Sequence, residues 1–385
     1  MAGSVEKRGA NKYRLIVSSG FDVNGKRLRY SKTIEASSKS KAEKELAIFI
    51  AEVERGQYLQ PSKMTFKDFA LKWIGDYAEG NIEVSTYRTY TDIINLRFIP
   101  EFGNFKLEQL KPLHILDLYK KLSSDGARQD NKEGGLSTKT IRNYHNLLNS
   151  MLGDAVHWQL FAFNPVERVE PPKSKRPKIN FYDDEQCIQL IRLLYHEPIK
   201  YRVLIMICVY SGLRRGEVLG LEWNSIDFEK NIMAIEKTIN YTKDLGIFEK
   251  QPKTDNGIRK IAFSDTIRNL LLEYKEWQDE YISAYGELYQ NSNKLFTQHN
   301  GKPMNPDTPT QWFAKFIAKN NLPPITLHGL RHSNASILIA SGLDLRTIST
   351  RLGHSQPSFT LGTYGHMLQK SDYAATNKLD EALKI

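Results

Sequence analysis

Six side chains in the C-terminal half hold most of the reactive chemistry of this 385-residue chain. They are Arg214 in S-G-L-R-R-G-E, Lys253 in K-T-D-N-G-I-R, His328 and Arg331 in H-G-L-R, His354 in L-G-H, and Tyr364 in G-T-Y-G-H. Together they supply two guanidiniums, an ammonium, two imidazoles and a phenol. Cleaving a phosphodiester without metal requires a nucleophile, positive charge on the phosphoryl oxygens and a proton for the leaving alkoxide. A two-metal nuclease would instead hold its ions with clustered carboxylates. The chain has no D-x-D motif, no D-D-E grouping in a β context, no H-E-x-x-H and no paired C-x-x-C. The expectation is chemistry with neither metal nor cofactor.

The local setting of each group matters more than its identity. Arg214 follows the apolar run Tyr201–Tyr210 and the tripeptide Ser211-Gly212-Leu213, where glycine permits a tight turn. A new helix then continues through Val218, Leu219 and Leu221, so the guanidinium stands at a helix N-terminus, a position suited to anions. Lys253 precedes Thr-Asp-Asn-Gly, which predicts a hairpin tip with Ile258–Phe263 as the return strand. His328 and Arg331, three apart after Pro323-Pro324, share one helix face. Leu352-Gly353-His354 reads as a turn after a helix ending near Arg351. Tyr364 needs neighbouring cations or a base, because a free phenol has a pKa of about 10. Taken singly, each residue has a plainer reading: a lysine at a turn aids solubility, a lone histidine packs, and the chain has nineteen tyrosines. Tyr373 is the nearby competitor for nucleophile.

The order and spacing of these groups resemble the tyrosine recombinase (phage integrase) family. The pattern G-L-R-x-x-E is met with Arg214 and Glu217, K-T-x-x-x-x-R with Lys253, and H-x-L-R-H with His328, Gly329, Leu330, Arg331 and His332; L-G-H and a tyrosine ten residues later complete it. Ser211 stands where threonine is commoner. The resemblance covers about 183–369. It implies that Arg214 and Arg331 clamp the scissile phosphate, with Glu217 orienting the site. Lys253 would protonate the 5′-oxygen, His328 would move a proton, His354 would hydrogen-bond the phosphate, and Tyr364 would attack to give a 3′-phosphotyrosyl bond. Tyr373 lies too far from His354 for the family pattern. The implied assembly is a homotetramer on two DNA duplexes, exchanging strands through a Holliday junction.

The flanking sequence must position this chemistry and bring DNA to it. Net charge is +10 with pI ≈ 9.2, which favours a polyanionic partner. Cys187 and Cys208 are too few for a disulfide scaffold or a four-thiolate zinc site. No apolar run reaches membrane-spanning length and the N-terminus is charged early, so a cytoplasmic protein of a bacterial host, with no secretory signal, is expected. Residues 1–63 hold thirteen Lys/Arg against seven Asp/Glu. Strands at Lys12–Val17 and Arg27–Thr33, joined through Asn24-Gly25 and followed by a helix from Ser40, interleave Arg14, Arg27, Arg29 and Lys32 with apolar residues, as a sheet with one basic face would.

Residues 64–169 read as four helices. The first opens at Thr65 with Asp68 in a capping box and carries Phe66, Phe69, Trp73 and Tyr77 on one face. The second ends at Pro100, the third covers Leu113–Leu122, and the fourth, capped by Ser137 or Thr138, offers Lys139 and Arg142 to a phosphate backbone. A linker at 170–180 brings Lys173, Lys175 and Arg176 among prolines. The mainly helical domain at 181–370 carries a small β-sheet, and 371–385 form a tail suited to a short amphipathic helix.

The fold class is therefore α+β and multidomain. By resemblance, 1–63 form a small three-stranded sheet plus helix that binds arm sites, and 64–169 an all-α domain that binds the core site. The same resemblance implies a tail that would dock on a neighbouring subunit, the alternative being one that packs in cis or frays. The expected function is site-specific integration or excision of a prophage or related mobile element, with an excisionase and a host DNA-bending protein as candidate further partners. The alternatives are a chromosome-dimer-resolving recombinase, a type IB topoisomerase and a non-catalytic DNA-binding regulator.

Overall fold

The computed structural model describes residues 2–21, 25–55, 64–130, 132–173, 180–251, 258–353 and 383. Three antiparallel strands, β1 (Ala2–Lys7), β2 (Lys12–Phe21) and β3 (Arg27–Glu35), open the chain in the order β1-β2-β3. Strand β1 has no run of β-branched or aromatic residues, and the two-strand reading of this region passed over it; it completes the three strands of the family resemblance. On β2, Tyr13, Leu15 and Val17 alternate inward, and Leu15 and Val17 pack with Phe49 and Val53 of α1 (Lys39–Glu54). The side-chain period of two sends Arg14 to the opposite face. Arg29, paired with Ser18, shares that face, and Arg14 donates to Ser31 Oγ at 3.2 Å. Arg27, beyond a register irregularity, is exposed.

Lys32 corrects the picture of a single basic face. It pairs with Leu15, so it points towards α1, with Nζ 3.7 Å from Glu52 Oε2 and 6.0 Å from the Phe49 ring centre.

The helical block begins with α2 (Phe66–Lys72), which runs on through a π-helical stretch, Trp73–Ala78, into α3 (Glu79–Asn81). The Thr65–Asp68 capping box forms as the sequence predicts. Next come α4 (Val84–Ile93), a second π-helical stretch, Ile94–Phe98, and α5 (Ile99–Phe102). The helix thus passes through Pro100 rather than ending there. Just before the proline, Ile99 N–H bonds to Ile94 O five residues back, and this widened turn accommodates a ring with no N–H to give. Helices α6 (Pro112–Ser123) and α7 (Thr138–His157) close the block over Phe66, Phe69, Trp73, Phe98, Phe102 and Met151. Lys139 and Arg142 stand exposed three residues apart on α7, and Lys173 is exposed further on.

The chain divides into two compact units, Met1–Arg176 and Pro177–Ile385. The second starts with α8 (Asp184–Leu194) and α9 (Ile199–Ser211), the latter buried from Val203 to Val209. Short α10 (Arg215–Gly220) leads to β4 (Ile226–Asp227), β5 (Ile232–Ile235), β6 (Thr238–Thr242), β7 (Gly246–Lys250) and β8 (Arg259–Ala262). Helices α11 (Asp265–Tyr285), α12 (Asp307–Lys319), α13 (Leu327–Ala340) and α14 (Leu345–Leu352) follow, and α9 packs against α11 and α13. Strands β7 and β8, which flank Lys253, are not partners of each other: β7 pairs with β6, and β8 joins β5 in the sheet β4-β5-β8. The register of β8 puts Ile261 opposite Met233, both in the core. The expected return strand therefore forms as β8 but pairs with β5 rather than β7, and the turn itself lies outside the described residues.

Gly212 ends α9 at φ 63°, and a Cβ there would sit 2.5 Å from Leu352 Cδ2 and 2.8 Å from Asn334 Oδ1. Gly212→Ala therefore combines left-handed strain with overpacking and is expected to destabilise the protein by about 2–4 kcal/mol, read as a lower urea midpoint.

Candidate active site

The left-handed turn at Gly212 delivers Arg214 to the N-cap of α10. There the main-chain N–H of Arg214 donates to Glu217 Oε2 at 2.9 Å and its Nη1 to Glu217 Oε1 at 2.7 Å, while Nη2 reaches Gly353 O at 3.1 Å. The Arg214 side chain stays 43 % exposed. Glu217, only 4 % exposed, is held from the other side by Arg259 of β8, with Nη2 to Oε2 at 2.8 Å and Nη1 to Oε1 at 3.2 Å. Burial pushes the Glu217 carboxyl up, yet hydrogen bonds and charge from Arg259 and Arg214 hold it below its ordinary value. One buried carboxylate therefore fixes two guanidiniums.

Arg259 also donates Nε to Arg351 O at 2.9 Å, tying β8 to the end of α14. Its only sequence signal was the last position of K-T-x-x-x-x-R, and its structural weight was missed. Gly353, at φ 68°, closes α14 against it: a Cβ would lie 2.9 Å from the Arg259 Nη1.

Arg331 reaches the site from within the core. It is 2 % exposed, and it donates Nη1 to Gly212 O at 2.9 Å and Nη2 to Leu352 O at 2.8 Å. Those bonds staple the turn before Arg214 to the turn that leads towards His354. His328 and Arg331 lie on the first turns of α13, capped by Thr326, whose hydroxyl accepts from Gly329 N–H at 3.1 Å. His328 is exposed, and His332, one turn on, is buried, with ring centres 4.8 Å apart and perpendicular. Desolvation lowers the pKa of both, helped by Arg331 and Arg214 at His328, and by His328 and Arg331 at His332, which is brought down to about 4. Both shifts favour the neutral imidazole.

Arg214, Glu217, His328, Arg331 and His332 therefore gather in one region around the ends of α9, α13 and α14. Lys253, His354, Tyr364, Lys175, Arg176 and the tail, apart from Leu383, lie outside the described residues.

Two consequences can be measured. Glu217→Gln leaves the nearly buried Arg259 without its counter-charge, with an expected loss of about 3–5 kcal/mol in urea unfolding. His332 protonates near pH 6.5 when unfolded but near 4 when folded, so stability is full above about 6.5 and falls as pH drops towards 4. The depressed Glu217 adds a further loss below the ordinary carboxylate range. His332→Gln should flatten the upper part of a stability-versus-pH curve taken from pH 8 to 4.

Comparison with known proteins agrees with this geometry. Residues 180–371 match the phage integrase family and residues 65–123 the phage integrase N-terminal SAM-like domain. The chain is 28 % identical over 382 residues to the ICEBs1 integrase of Bacillus subtilis, covering 99 % of this chain and 100 % of that protein. Its fold matches the Tn1549 transposon integrase solved with circular intermediate DNA, with TM-score 0.69, 20 % identity, and 82 % and 100 % of the two chains covered. It also matches a lambda integrase tetramer bound to a Holliday junction, with TM-score 0.55, 15 % identity, and 92 % and 96 % covered. The order of these groups along the chain, the gathering of Arg214, Glu217, His328, Arg331 and His332 at the ends of α9, α13 and α14, and these matches make one conclusion: the chain belongs to the phage integrase family, the tyrosine recombinases that cleave and rejoin DNA.

Proposed function

We propose that this chain is the integrase of a mobile element and that Tyr364 is its nucleophile. The observation that carries the reading is the Glu217-braced Arg214 at the start of α10, set beside His328 and Arg331. Arg214 binds a non-bridging oxygen of the scissile phosphate. Arg331 adds its charge from behind while holding the Gly212 and Leu352 turns in place. As the Tyr364 oxygen bonds to phosphorus, the phenolic proton passes to neutral His328, the bond to the 5′-oxygen breaks, and Lys253 supplies that oxygen with a proton. His354 donates to the phosphate. The 3′-phosphotyrosyl bond keeps the phosphodiester energy, and a 5′-hydroxyl from the partner duplex reverses the step.

The proposed organisation is an arm-site domain at 1–63, a core-site helical domain at 64–169, a linker at 170–180, the catalytic domain at 181–370 and an intersubunit tail at 371–385. Arg14, Arg27 and Arg29 of the sheet, with Lys139, Arg142, Lys173, Lys175 and Arg176, would line double-stranded DNA; Lys32 faces α1 instead. The working form is a homotetramer on core and arm sites in the bacterial cytoplasm, with an excisionase and a host DNA-bending protein completing it. The basic three-stranded domain ahead of the helical block favours this reading over a resolvase of chromosome dimers.

A nicked suicide substrate tests the chemistry. Wild type should form a covalent adduct in EDTA and Tyr364→Phe none; an adduct in that variant, or a strict magnesium requirement, overturns the assignment. Arg214→Ala should slow adduct formation by about 10²–10³-fold. Removing residues 1–63 should spare core-site cleavage and abolish arm-site binding in a footprint.

A further inference from the structure

Lys294 is an ammonium sealed inside the second unit, its side chain 1 % exposed. Its Nζ lies 2.8 Å from Glu222 Oε1, 2.9 Å from Glu249 Oε1 and 3.4 Å from Gly220 O. Lys237 Nζ reaches the same two carboxylates, at 2.8 Å from Glu222 Oε1 and 3.7 Å from Glu249 Oε2. Two ammoniums and two carboxylates thus alternate in a closed quartet. The main chain fixes its base: Trp223 N–H donates to Asn293 O at 3.0 Å, and Leu295 N–H to Leu221 O at 3.1 Å.

The quartet sits where two elements of the reaction machinery meet. Gly220 ends α10, the helix that starts beside Arg214, and Glu222 follows it. Lys237 immediately precedes β6, and Glu249 lies on β7, which ends three residues before Lys253. The approach is too close for any side chain: a Cβ on Gly220 would lie 2.2 Å from Lys237 O, and one on Gly216 would lie 2.9 Å from Ile239 O. Burying an ammonium is costly, and an apolar side chain could fill the same space with less desolvation. What an apolar side chain cannot do is hold both carboxylates in fixed directions.

We propose that Lys294 is a positioning residue for strand cleavage: it clasps β7 to the end of the Arg214 helix, so that the connector bearing Lys253 leaves the body of the domain from a fixed point. The inference rests on Lys253 as the proton donor to the 5′-oxygen. Arg259 anchors the far end of the same connector through Glu217, so both ends are tied by charge to α10 or to Glu222 two residues beyond it. Without the clasp, Arg214 still binds phosphate but the proton donor is delivered poorly.

The test compares adduct formation on two nicked substrates, one with the natural 5′-oxygen at the scissile bond and one with a bridging 5′-sulfur. Sulfur leaves as a thiolate without a proton, because a thiol has a pKa of only about 8.5. Lys294→Met should lose about 10–100-fold on the oxygen substrate and return to within a few-fold of wild type on the sulfur substrate. Glu249→Gln, which cuts only the arm to β7 and lies at the surface, should show a smaller loss with the same rescue, and it serves alone if Lys294→Met does not fold. No loss on oxygen, or equal loss on both substrates, overturns the proposal. Lys253→Ala separates the two ideas. If sulfur rescues Lys253→Ala but not the clasp variants, only the clasp fails; if sulfur does not rescue Lys253→Ala, the proton-donor assignment fails and the clasp falls with it.

Discussion

The catalytic unit depends on one buried carboxylate. Glu217 faces a guanidinium on each side, Arg214 from its own helix and Arg259 from β8, and it accepts the Arg214 main-chain N–H as well. Two cations so close would repel each other without it, and a lone carboxylate so deep would not stay ionised. The buried charges of Glu217 and Arg259 are tolerable only because each faces the other. Local stability and the aim of Arg214 therefore share a single cause, and Arg259 passes that constraint on to the last carbonyls of α14.

Around this triad the site is assembled from the ends of helices rather than their middles. Two left-handed glycines, Gly212 and Gly353, turn the chain where α9 and α14 stop, and Arg331 bonds to the carbonyls of Gly212 and Leu352. Carbonyls at a helix C-terminus lack intrahelical donors, so a buried guanidinium satisfies them while adding positive charge. The same side chain serves fold and electrostatics together. The cations and the burial around His328 and His332 favour their neutral forms.

Much of this was legible in the residues. The alternation on β2, the Thr65 capping box, the apolar α9 and the G-L-R-x-x-E and H-x-L-R-H spacings all act over a few residues, and each formed as local physical chemistry predicts. The misreadings have a common origin in contacts distant along the chain. Lys32 looked like part of a basic face until its register against Leu15 turned it to α1. Pro100 looked like a helix end until a π-helical turn made room for it. Ile258–Phe263 looked like the return strand of a hairpin with β7 until the pairing of Ile261 with Met233 took β8 into another sheet.

Residue types and their order were enough to determine the class of chemistry and the family, because a phosphodiester-cleaving set of cations, imidazoles and a phenol leaves few other uses for that spacing. Only the tertiary structure decided how the charges are held: Arg331 buried as a staple, Arg259 as the second brace of Glu217, and Lys294 as the buried member of a quartet of charges. Such roles are settled by which charges lose their water together. That depends on packing between segments tens of residues apart, which no local pattern of residues records.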